Sequence, residues 1–266
     1  MQHASFKLTS LNLNGIRSAM RKGLAQWVQA EAPDCMCVQE LKAQADDLDH
    51  DMHNLAGMRG YFHFAEKKGY AGVGVYSRAE PSEVRVGFGD AEFDAEGRYL
   101  EVRFDTPARR LSVISLYLPS GSSGDERQQA KYRCLASLTP HLAGLLAQRE
   151  VLMCGDLNIA HQHIDLKNWR SNLKNSGCLP PEREWLSATL QQGMVDVYRH
   201  LYPNATDACY TWWSNRGQAW ANNVGWRLDY QLATPALAQA AQRAEVYKAQ
   251  RFSDHAPLTV WYARAS

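Results

Sequence analysis

The feature that most constrains the fold is a set of short runs that are apolar at every position, of which Val151-Leu152-Met153-Cys154 is the clearest. A strand with two apolar faces lies in the middle of a layered structure, because each face needs a packing partner. Residues 83–88 and 101–104 instead alternate polar and apolar side chains, which is typical of strands nearer a sheet edge. The mixture predicts an α/β or α+β sandwich in which helices cover packed sheets.

Strand-like and helix-like patterns follow one another along the chain. We expect strands at residues 6–13, 35–38, 72–76, 99–104, 111–118, 151–154, 228–232 and 258–262. Apolar stripes at helical spacing lie between these runs. The stripes are residues 20–28, 135–145 and 185–190. We expect the first helix to end near Pro33, the second to kink at Pro140 and the third to begin at Pro180-Pro181.

Length and charge limit the domain organisation and the partners. The 266 residues contain no linker and no low-complexity tract, so we expect a single domain over residues 1–266. The formal net charge of +1 gives no overall attraction to nucleic acid or membranes, so a polyanion would have to bind a local patch. No apolar run reaches the roughly 18 residues that a membrane span needs.

Cysteine usage and the first residues bear on the compartment. No cysteine pair has Cys-x-x-Cys spacing, and Cys35 and Cys37 alternate on a predicted strand, so we expect buried reduced thiols. Residues 1–7 contain no apolar secretory core. The sequence therefore predicts a protein of the reducing cytoplasm.

Short polar clusters stand where predicted strands begin or end. They are Gln39-Glu40-Leu41-Lys42, Gly155-Asp156-Leu157-Asn158, Arg227-Leu228-Asp229-Tyr230 and Ser253-Asp254-His255. Together they offer carboxylates, an acid–histidine neighbour pair and an asparagine. This set of side chains is suited to hold a divalent metal and to drive water at a phosphorus atom.

Glu40 and Asp156 each have a structural explanation beside the chemical one. A carboxylate at a strand end needs a cation or a donor, which for Glu40 is either a metal or a salt bridge to Lys42. Gly155 permits a tight turn, after which Asp156 and Asn158 point to one side. The two side chains either orient a water and a phosphoryl oxygen or form an Asx turn.

His255 is the candidate for a charged catalytic imidazole, although a lone histidine is more often a core residue. The loop before Pro257 can direct Asp254 and His255 into one cleft. Asp229 is the expected hydrogen-bond partner, which would fix the tautomer and favour the charged form of the ring. The chain has no Gly-x-Ser-x-Gly elbow, so water is the expected nucleophile.

Two stretches have the composition of nucleic-acid contacts. Residues 167–175 are basic and amide-rich, which suits phosphate binding but also a solvated surface loop. Residues 210–226 are rich in tryptophan and tyrosine, which suit stacking on bases or sugars but also core packing.

The order of these motifs resembles the exonuclease III family, which contains the class II apurinic/apyrimidinic endonucleases of base-excision repair. That family belongs to the endonuclease/exonuclease/phosphatase superfamily. The resemblance runs from about Lys7 to Tyr262 and is carried by Asn12, Gln39-Glu40, Tyr117, Gly155-Asp156-Leu157-Asn158, Asn223-Val224-Gly225-Trp226-Arg227-Leu228-Asp229-Tyr230 and Ser253-Asp254-His255. Residues 164–168 and 223–230 resemble the DNA-repair branch in particular.

The resemblance implies a four-layer α/β sandwich of two packed mixed β-sheets flanked by helices. It implies a Mg²⁺- or Mn²⁺-dependent DNA phosphodiesterase that cleaves 5′ of abasic sites, removes nucleotides or blocking groups from 3′ ends, or does both. The implied partner is double-stranded DNA with abasic sites, nicks or recessed 3′ ends. We expect the chain to act as a monomer, without a membrane.

The resemblance also implies roles for individual residues. Asp156 and Asn158 would hold the attacking water, His255 oriented by Asp229 would stabilise phosphoryl charge, and Tyr117 would hydrogen-bond the phosphate or the leaving oxygen. The implied metal ligands are Glu40 as the main one, Asn12, Asp156, Asn158, Asp254 and His255. The implied DNA contacts are Arg17, Lys42, Tyr70, Asn172, Lys174 and Asn175, with Trp212, Trp226 and Leu228 lining a pocket for a baseless sugar.

Three positions depart from the pattern of the family. Asn14 stands where animal relatives have Asp, and Ser120 stands where well-known members have an amide side chain. Trp212 fills more of the expected sugar pocket than a Phe would. The ranking of the activities therefore stays open. The alternatives are a superfamily enzyme with a phospholipid substrate and a catalytically weak nucleic-acid-binding regulator on the same scaffold.

Overall fold

The computed structural model describes residues 5–264. Residues 1–4 and 265–266 lie outside the described part. The prediction that residues 1–7 contain no secretory core therefore falls partly outside it. The strands are β1 (Phe6–Asn12), β2 (Cys35–Gln39), β3 (Asn54–Leu55), β4 (Met58–His63), β5 (Val73–Ser77), β6 (Glu83–Val86), β7 (Tyr99–Thr106), β8 (Arg109–Tyr117), β9 (Glu150–Asp156), β10 (Val195–Asp196), β11 (Trp212–Trp213), β12 (Gly225–Trp226), β13 (Asp229–Ala233), β14 (Ala241–Val246) and β15 (Leu258–Tyr262). The α-helices are α1 (Ile16–Arg21), α2 (Leu24–Glu31), α3 (His50–His53), α4 (Ala91–Asp94), α5 (Asp125–Leu146), α6 (Trp169–Asn172), α7 (Pro180–Gln191), α8 (Val197–Leu201) and α9 (Pro235–Gln239).

The strands form two large mixed sheets and one short ribbon. The seven-stranded sheet has the order β14-β15-β1-β2-β5-β4-β3, and the six-stranded sheet has the order β10-β13-β9-β8-β7-β6. Each large sheet contains one parallel pair, β1 with β2 and β8 with β9. A parallel pair needs a crossover, which is α1 with α2 in the first case and α5 in the second. The β11–β12 ribbon pairs separately.

The two large sheets pack face to face, and helices cover their outer faces. Leu8 and Cys37 of one sheet share a buried cluster with Val113 and Leu152 of the other. Side chains of α1 and α2 pack on the outer face of the seven-stranded sheet, and those of α5 and α7 on the outer face of the six-stranded sheet. The four-layer α/β sandwich predicted from the resemblance is confirmed.

Strand β9 shows why a run that is apolar at every position lies centrally. Leu152 and Cys154 point between the sheets, while Val151 and Met153 belong to the cluster under α5. None of the four side chains is more than 1% exposed. Both faces of β9 are therefore buried, as the sequence predicts.

The helix at residues 20–28 differs from the prediction. Two helices, α1 and α2, replace one, because Gly23 between them adopts a left-handed φ of 90°. Helix α5 continues through Pro140 to Leu146, and the kink expected at Pro140 stays a prediction. Helix α7 begins at Pro180, as predicted, because proline is compatible with the first helical turn.

The alternating runs lie at and next to one sheet edge. β6 is the edge strand of the six-stranded sheet and is exposed at all four residues, so it lacks the buried face that alternation suggests. β7 is its neighbour, and there Glu101 and Arg103 are buried and ion-paired at 2.5 Å. The polar positions of β7 therefore mark a buried ion pair rather than a solvated face.

The six cysteines are buried and free, as expected. Within residues 5–264, no helix combines the length and the apolar character needed to cross a membrane.

Candidate active site

The polar clusters meet at one end of the sandwich because of strand direction and register. Asn12 and Gln39 end the parallel strands β1 and β2 and lie side by side. In the other sheet, Tyr117 pairs with Asp156, and Asp156 pairs with Asp229 on the opposite side. The carboxyl ends of both parallel pairs therefore supply polar side chains to the same space.

Asn12 links the two sheets at this end. Its Nδ2 donates to Glu40 Oε1 at 2.8 Å and to Asp156 Oδ2 at 2.9 Å. The side chain is fully buried, and its Oδ1 accepts the backbone N–H of Asn14. Asn12 therefore fixes two carboxylates that come from different sheets.

Glu40 is ion-paired to Lys42 and also belongs to the acid cluster, so the salt bridge expected for this residue is present and its role as a metal ligand stays a prediction. Lys42 Nζ lies 2.9 Å from Glu40 Oε2. Burial alone would raise the pKa of Glu40, but Lys42, Asn12 and His255 outweigh it and lower the pKa. Glu40 and Lys42 both adopt left-handed φ values, 51° and 49°, which turn the chain sharply after β2.

Asp156 forms the Asx turn that was one of its two interpretations. Its Oδ1 accepts the backbone N–H of Asn158 at 2.9 Å, and its Oδ2 faces Asn12. The pKa of Asp156 is raised to about 7, mainly by burial and further by Asp229 and Glu40, while His255 opposes the shift. The turn thus holds a basic carboxylate in a fixed direction.

His255 has the partner that the sequence predicts. Its Nδ1 lies 2.8 Å from Asp229 Oδ2, and its Nε2 lies 3.6 Å from Asp156 Oδ2. Burial would lower the pKa of His255, but Asp229 and Asp156 outweigh it and raise the pKa to about 10. The imidazole is therefore protonated at neutral pH, and Nε2 is a charged donor directed at the cavity.

Asp254 is held by donors on both carboxylate oxygens. Asn14 Nδ2 donates to Oδ1 at 2.9 Å, and Trp212 Nε1 donates to Oδ2 at 3.0 Å. Burial would raise the pKa of Asp254, but His255 and these two donors lower it. Trp212 is thus more than a bulky pocket wall, because it orients an acid of the site.

The compact acidic group has the chemistry of a divalent-metal site. Ligand atoms of Glu40, Asp156 and His255 all lie within 4.8 Å of one another. Carboxylate and amide oxygens, which Glu40, Asp156 and the neighbouring Asn12 offer, are the donors that Mg²⁺ prefers. Asp229 Oδ1 is buried and has no hydrogen-bond partner among the described residues.

Tyr117 is held from behind by Arg98. The guanidinium carbon of Arg98 lies 4.8 Å from the centre of the Tyr117 ring, and its Nη2 donates to the Tyr70 hydroxyl at 2.8 Å. Burial, Glu40 and Asp156 raise the pKa of Tyr117 well above its usual value. Tyr117 therefore keeps its proton and acts as a hydrogen-bond donor.

A cavity of about 830 Å³ opens over these residues. Of the expected DNA contacts, Lys174 and Asn175 line it, together with Trp212, Trp226 and Leu228. Asn172 lines a smaller adjoining cleft of about 380 Å³.

The other expected DNA contacts lie outside the wall of this cavity. Arg17 is exposed and lies 3.7 Å from Asp47, Lys42 pairs with Glu40, and Tyr70 packs on Arg98. Arg17 and Tyr70 do not contact the acids of the site, whereas Lys42 lies against one of them, Glu40, at 2.9 Å.

Several residues around the cavity were missed by sequence reasoning. Gln128 of α5 and Arg216 line the wall, and Thr211 Oγ1 accepts the backbone N–H groups of Leu228 and Asp229. Gln128 stands next to no motif, whereas Thr211 and Arg216 lie within the aromatic stretch of residues 210–226. Asp165, within the 164–168 segment, pairs with Arg227 at 2.7 Å.

Comparison with known proteins gives one consistent result. The sequence pattern described as the Endonuclease/Exonuclease/phosphatase family matches residues 9–255. An exodeoxyribonuclease of Bacillus subtilis is 37% identical over 256 residues, covering 95% of this chain and 97% of its own length. The DNA repair nuclease APEX1 of Danio rerio is 37% identical over 265 residues, covering 98% of this chain and 83% of its own length. An AP endonuclease structure from Archaeoglobus fulgidus superposes with a TM-score of 0.87 at 28% identity, covering 97% of this chain and 100% of that chain.

Proposed function

Because this chain belongs to the Endonuclease/Exonuclease/phosphatase family and is a phosphodiesterase of DNA repair, we propose that its cavity cleaves DNA 5′ of abasic sites and trims 3′ ends. The observation that carries the proposal is the convergence of Glu40, Asp156 and His255 within 4.8 Å. These groups lie in the same cavity as Lys174 and Trp226, a cation and a ring suited to nucleic acid.

In this proposal Glu40 would be the main ligand of a divalent cation, with Asn12, Asp156, Asn158 and Asp254 as the other oxygen ligands and His255 beside them at the site. The ion would be Mg²⁺ or Mn²⁺, and it would supply positive charge to offset the charge on the phosphate and the leaving 3′-oxygen. Asn12 contributes by holding Glu40 and Asp156 in place before substrate arrives.

Asp156 orients the attacking water and takes its proton. Its pKa of about 7 lies near the operating pH, which suits a general base. Asn158 is held beside Asp156, since its Nδ2 donates to Asp156 Oδ2 at 3.3 Å and to the Leu118 carbonyl oxygen at 3.0 Å, and in this proposal it helps to hold the same water.

His255 stabilises the phosphoryl charge that develops during attack. Its protonated ring points Nε2 toward Asp156 and the cavity, while Asp229 holds Nδ1. Tyr117 keeps its proton and donates to the phosphate or the leaving oxygen. Donors that are fixed before the reaction lower the barrier without reorganising during it.

DNA binding is assigned to the cavity wall and its rim. Lys174, Asn175 and Asn172 contact phosphates, while Trp212, Trp226 and Leu228 enclose a baseless sugar. Arg17, Lys42 and Tyr70 would contact the duplex outside the cavity. Abasic nucleotides are extruded at low cost because no base pairing has to be broken.

The proposal includes a single domain that acts as a cytoplasmic monomer. Six buried free thiols are compatible with a reducing compartment. The substrate is double-stranded DNA with abasic sites, nicks or recessed 3′ ends.

One labelled duplex in abasic, 3′-phosphate and recessed forms tests the proposal. With Mg²⁺ or Mn²⁺ we expect cleavage of at least one form, and EDTA should abolish it. The three initial rates rank incision, 3′-phosphatase and exonuclease activities.

Two results would redirect the assignment. Metal-dependent cleavage of a phospholipid but of no DNA form would favour a superfamily enzyme with another substrate. DNA or RNA binding with no cleavage at any metal concentration would favour a regulator on the same scaffold.

A further inference from the structure

We propose that the buried ion pair between Lys131 and Glu182 is a positioning device that holds Asn158 and the cavity wall at residues 174–179 as one unit. The two residues lie on helices α5 and α7, behind the cavity. Neither takes part in the reaction directly. The inference rests on the proposed function, because it deepens the account of the same site.

Lys131 connects the pair to the Asn158 turn. Its Nζ lies 2.8 Å from Glu182 Oε1 and donates to the backbone carbonyl of Asn158 at 2.7 Å. Asn158 has a left-handed φ of 51°, a conformation that needs support from its surroundings. Lys131 stabilises this conformation by binding the Asn158 carbonyl oxygen, while Asp156 Oδ1 accepts the Asn158 backbone N–H.

Glu182 connects the pair to the cavity wall. Its Oε2 accepts the backbone N–H groups of Gly177 at 2.7 Å and Leu179 at 3.0 Å. Its Oε1 accepts Gln128 Nε2 at 3.0 Å besides the lysine. The carboxylate therefore fixes the segment that carries Lys174 and Asn175.

Residues 174–179 of the cavity wall lie in close contact with the Asn158 turn. Ala160 donates its N–H to the Gly177 carbonyl at 2.7 Å. A Cβ at Gly177 would lie 3.0 Å from the Asn158 carbonyl oxygen and 3.3 Å from Cζ3 of Trp226. A small shift of this segment would therefore move both the Asn158 turn and a wall of the proposed sugar pocket.

The pair is an expensive way to obtain stability alone. Neither side chain has exposed area, and two charges lose their hydration when they are buried. Packed hydrophobic residues would stabilise the same space at least as well, but they would not bind a carbonyl and two N–H groups in fixed directions. Orientation of the backbone is what the charged pair adds.

The test compares K131M and the double variant K131M/E182Q with a matched control, E101Q. Glu101 is also a buried, ion-paired acid, 2.5 Å from Arg103, but it lies in the six-stranded sheet away from the cavity. All three variants should lower the Tm. Steady-state cleavage is measured on the duplex that wild type cleaves fastest, well below each Tm.

We expect K131M to lower kcat about 10–100-fold with KM within about twofold, because it acts on the Asn158 turn. The double variant should lower kcat and also raise KM, because the wall with Lys174 is released. E101Q should keep both constants within about twofold of wild type. Unchanged kcat and KM in K131M and the double variant, despite a lower Tm, would overturn the proposal and leave the pair a structural one.

Hydrogen–deuterium exchange keeps the test independent of variants that fail to fold. In wild type, the amides of Gly177 and Leu179 should exchange as slowly as those of β9. Fast exchange at both amides would overturn the proposal. A wild-type chain that cleaves no DNA form would instead contradict the proposed function.

Discussion

At the scale of single residues, the charge state of the cavity depends on which groups touch. Asp156 Oδ2 and His255 Nε2 lie 3.6 Å apart. His255 lowers the pKa of Asp156 and Asp156 raises the pKa of His255, so each favours the charged form of the other. Asp229 supports the histidine from the other side at 2.8 Å. The site therefore combines one basic carboxylate with one protonated imidazole, the two functions that phosphodiester hydrolysis by water requires.

Removing either group should damage the reaction more than the fold. We expect Asp156→Asn and His255→Ala each to lower kcat by at least about 10²-fold, the usual loss for one preorganised group. DNA affinity should be largely kept, because phosphate contacts elsewhere are unchanged. Single-turnover cleavage and a binding titration measure the two effects.

His141→Ala is the matched control for this prediction. His141 is bound to the Tyr99 hydroxyl at 2.9 Å on helix α5, away from the cavity. Its variant should keep the wild-type rate. Near-wild-type turnover of His255→Ala would remove the imidazole from the mechanism.

At the scale of elements, the close approach of β8 and β9 determines where Asp156 lies. Gly155 pairs with Leu116 and has a φ of 147°. A Cβ at this position would lie 1.9 Å from the Leu116 carbonyl oxygen, a backbone atom that cannot move aside. Glycine is therefore required one residue before the carboxylate by the packing of the two strands.

Gly155→Ala should consequently destabilise the protein by at least about 2 kcal/mol, through backbone displacement and strain. Gly144→Ala is the control, because Gly144 lies in α5 with open space around its Cβ position. Alanine there should raise stability by about 0.5–1 kcal/mol. Urea unfolding of both variants measures the contrast, and equal effects at the two positions would contradict this account.

At the scale of the whole molecule, one buried charge network ties distant segments together. Asp165 pairs with Arg227 at 2.7 Å and with Arg199, and Arg227 also pairs with Asp196 at 2.7 Å. Burial would raise the pKa of Asp165, but Arg227 and Arg199 outweigh it and lower the pKa to about 2. The network joins the segment after the Asn158 turn to α8 and to the strand that carries Asp229.

This network predicts a specific loss of stability in acid. A carboxyl group whose pKa is lower in the folded state contributes its full stabilisation at pH values above its pKa in the unfolded chain, which is near 4. For Asp165 this contribution is lost as the pH falls toward the folded-state pKa of about 2. We expect about 2 kcal/mol from Asp165 over this range. Urea midpoints from pH 5 to pH 2 should fall less steeply for Asp165→Asn than for wild type.

Asp46→Asn, a change at an exposed carboxylate, is the control and should leave the pH slope unchanged. If the urea midpoints of wild type and Asp165→Asn fall equally with pH, the network is not the cause of the loss of stability in acid.

Net charge predicts how DNA binding responds to salt. The chain carries only +1, so affinity has to come from local contacts such as Lys174 in the cavity wall. We expect affinity to fall steeply with salt, and Lys174→Ala to reduce the slope of log K against log salt by about 1. Arg85→Ala on the exposed edge strand should leave the slope unchanged. A flat salt response of wild type would argue against DNA as the substrate.

Much of the fold was readable from local patterns. Strands β9 and β15 and helix α7 lie where apolar runs and the proline pair predict them, because these signals are confined to a few neighbouring residues. The division of α1 from α2 was missed, since a glycine within an apolar stripe does not reveal its φ. The buried pair on β7 was missed as well, because alternation looks the same whether the polar face meets water or a partner charge.

By itself, the sequence determined where the main apolar strands such as β1, β2, β9 and β15 lie, which polar groups stand at their ends, and that Asp229 is a partner for His255. Only the tertiary structure decided that Asn12 joins carboxylates of two sheets, that Trp212 holds Asp254, and that Lys131 and Glu182 lie behind the cavity. The physical reason is range: strand patterns and turns arise between neighbours in the chain. Hydrogen bonds between residues 28 to 144 positions apart depend instead on how the sheets and helices pack, which no local pattern records.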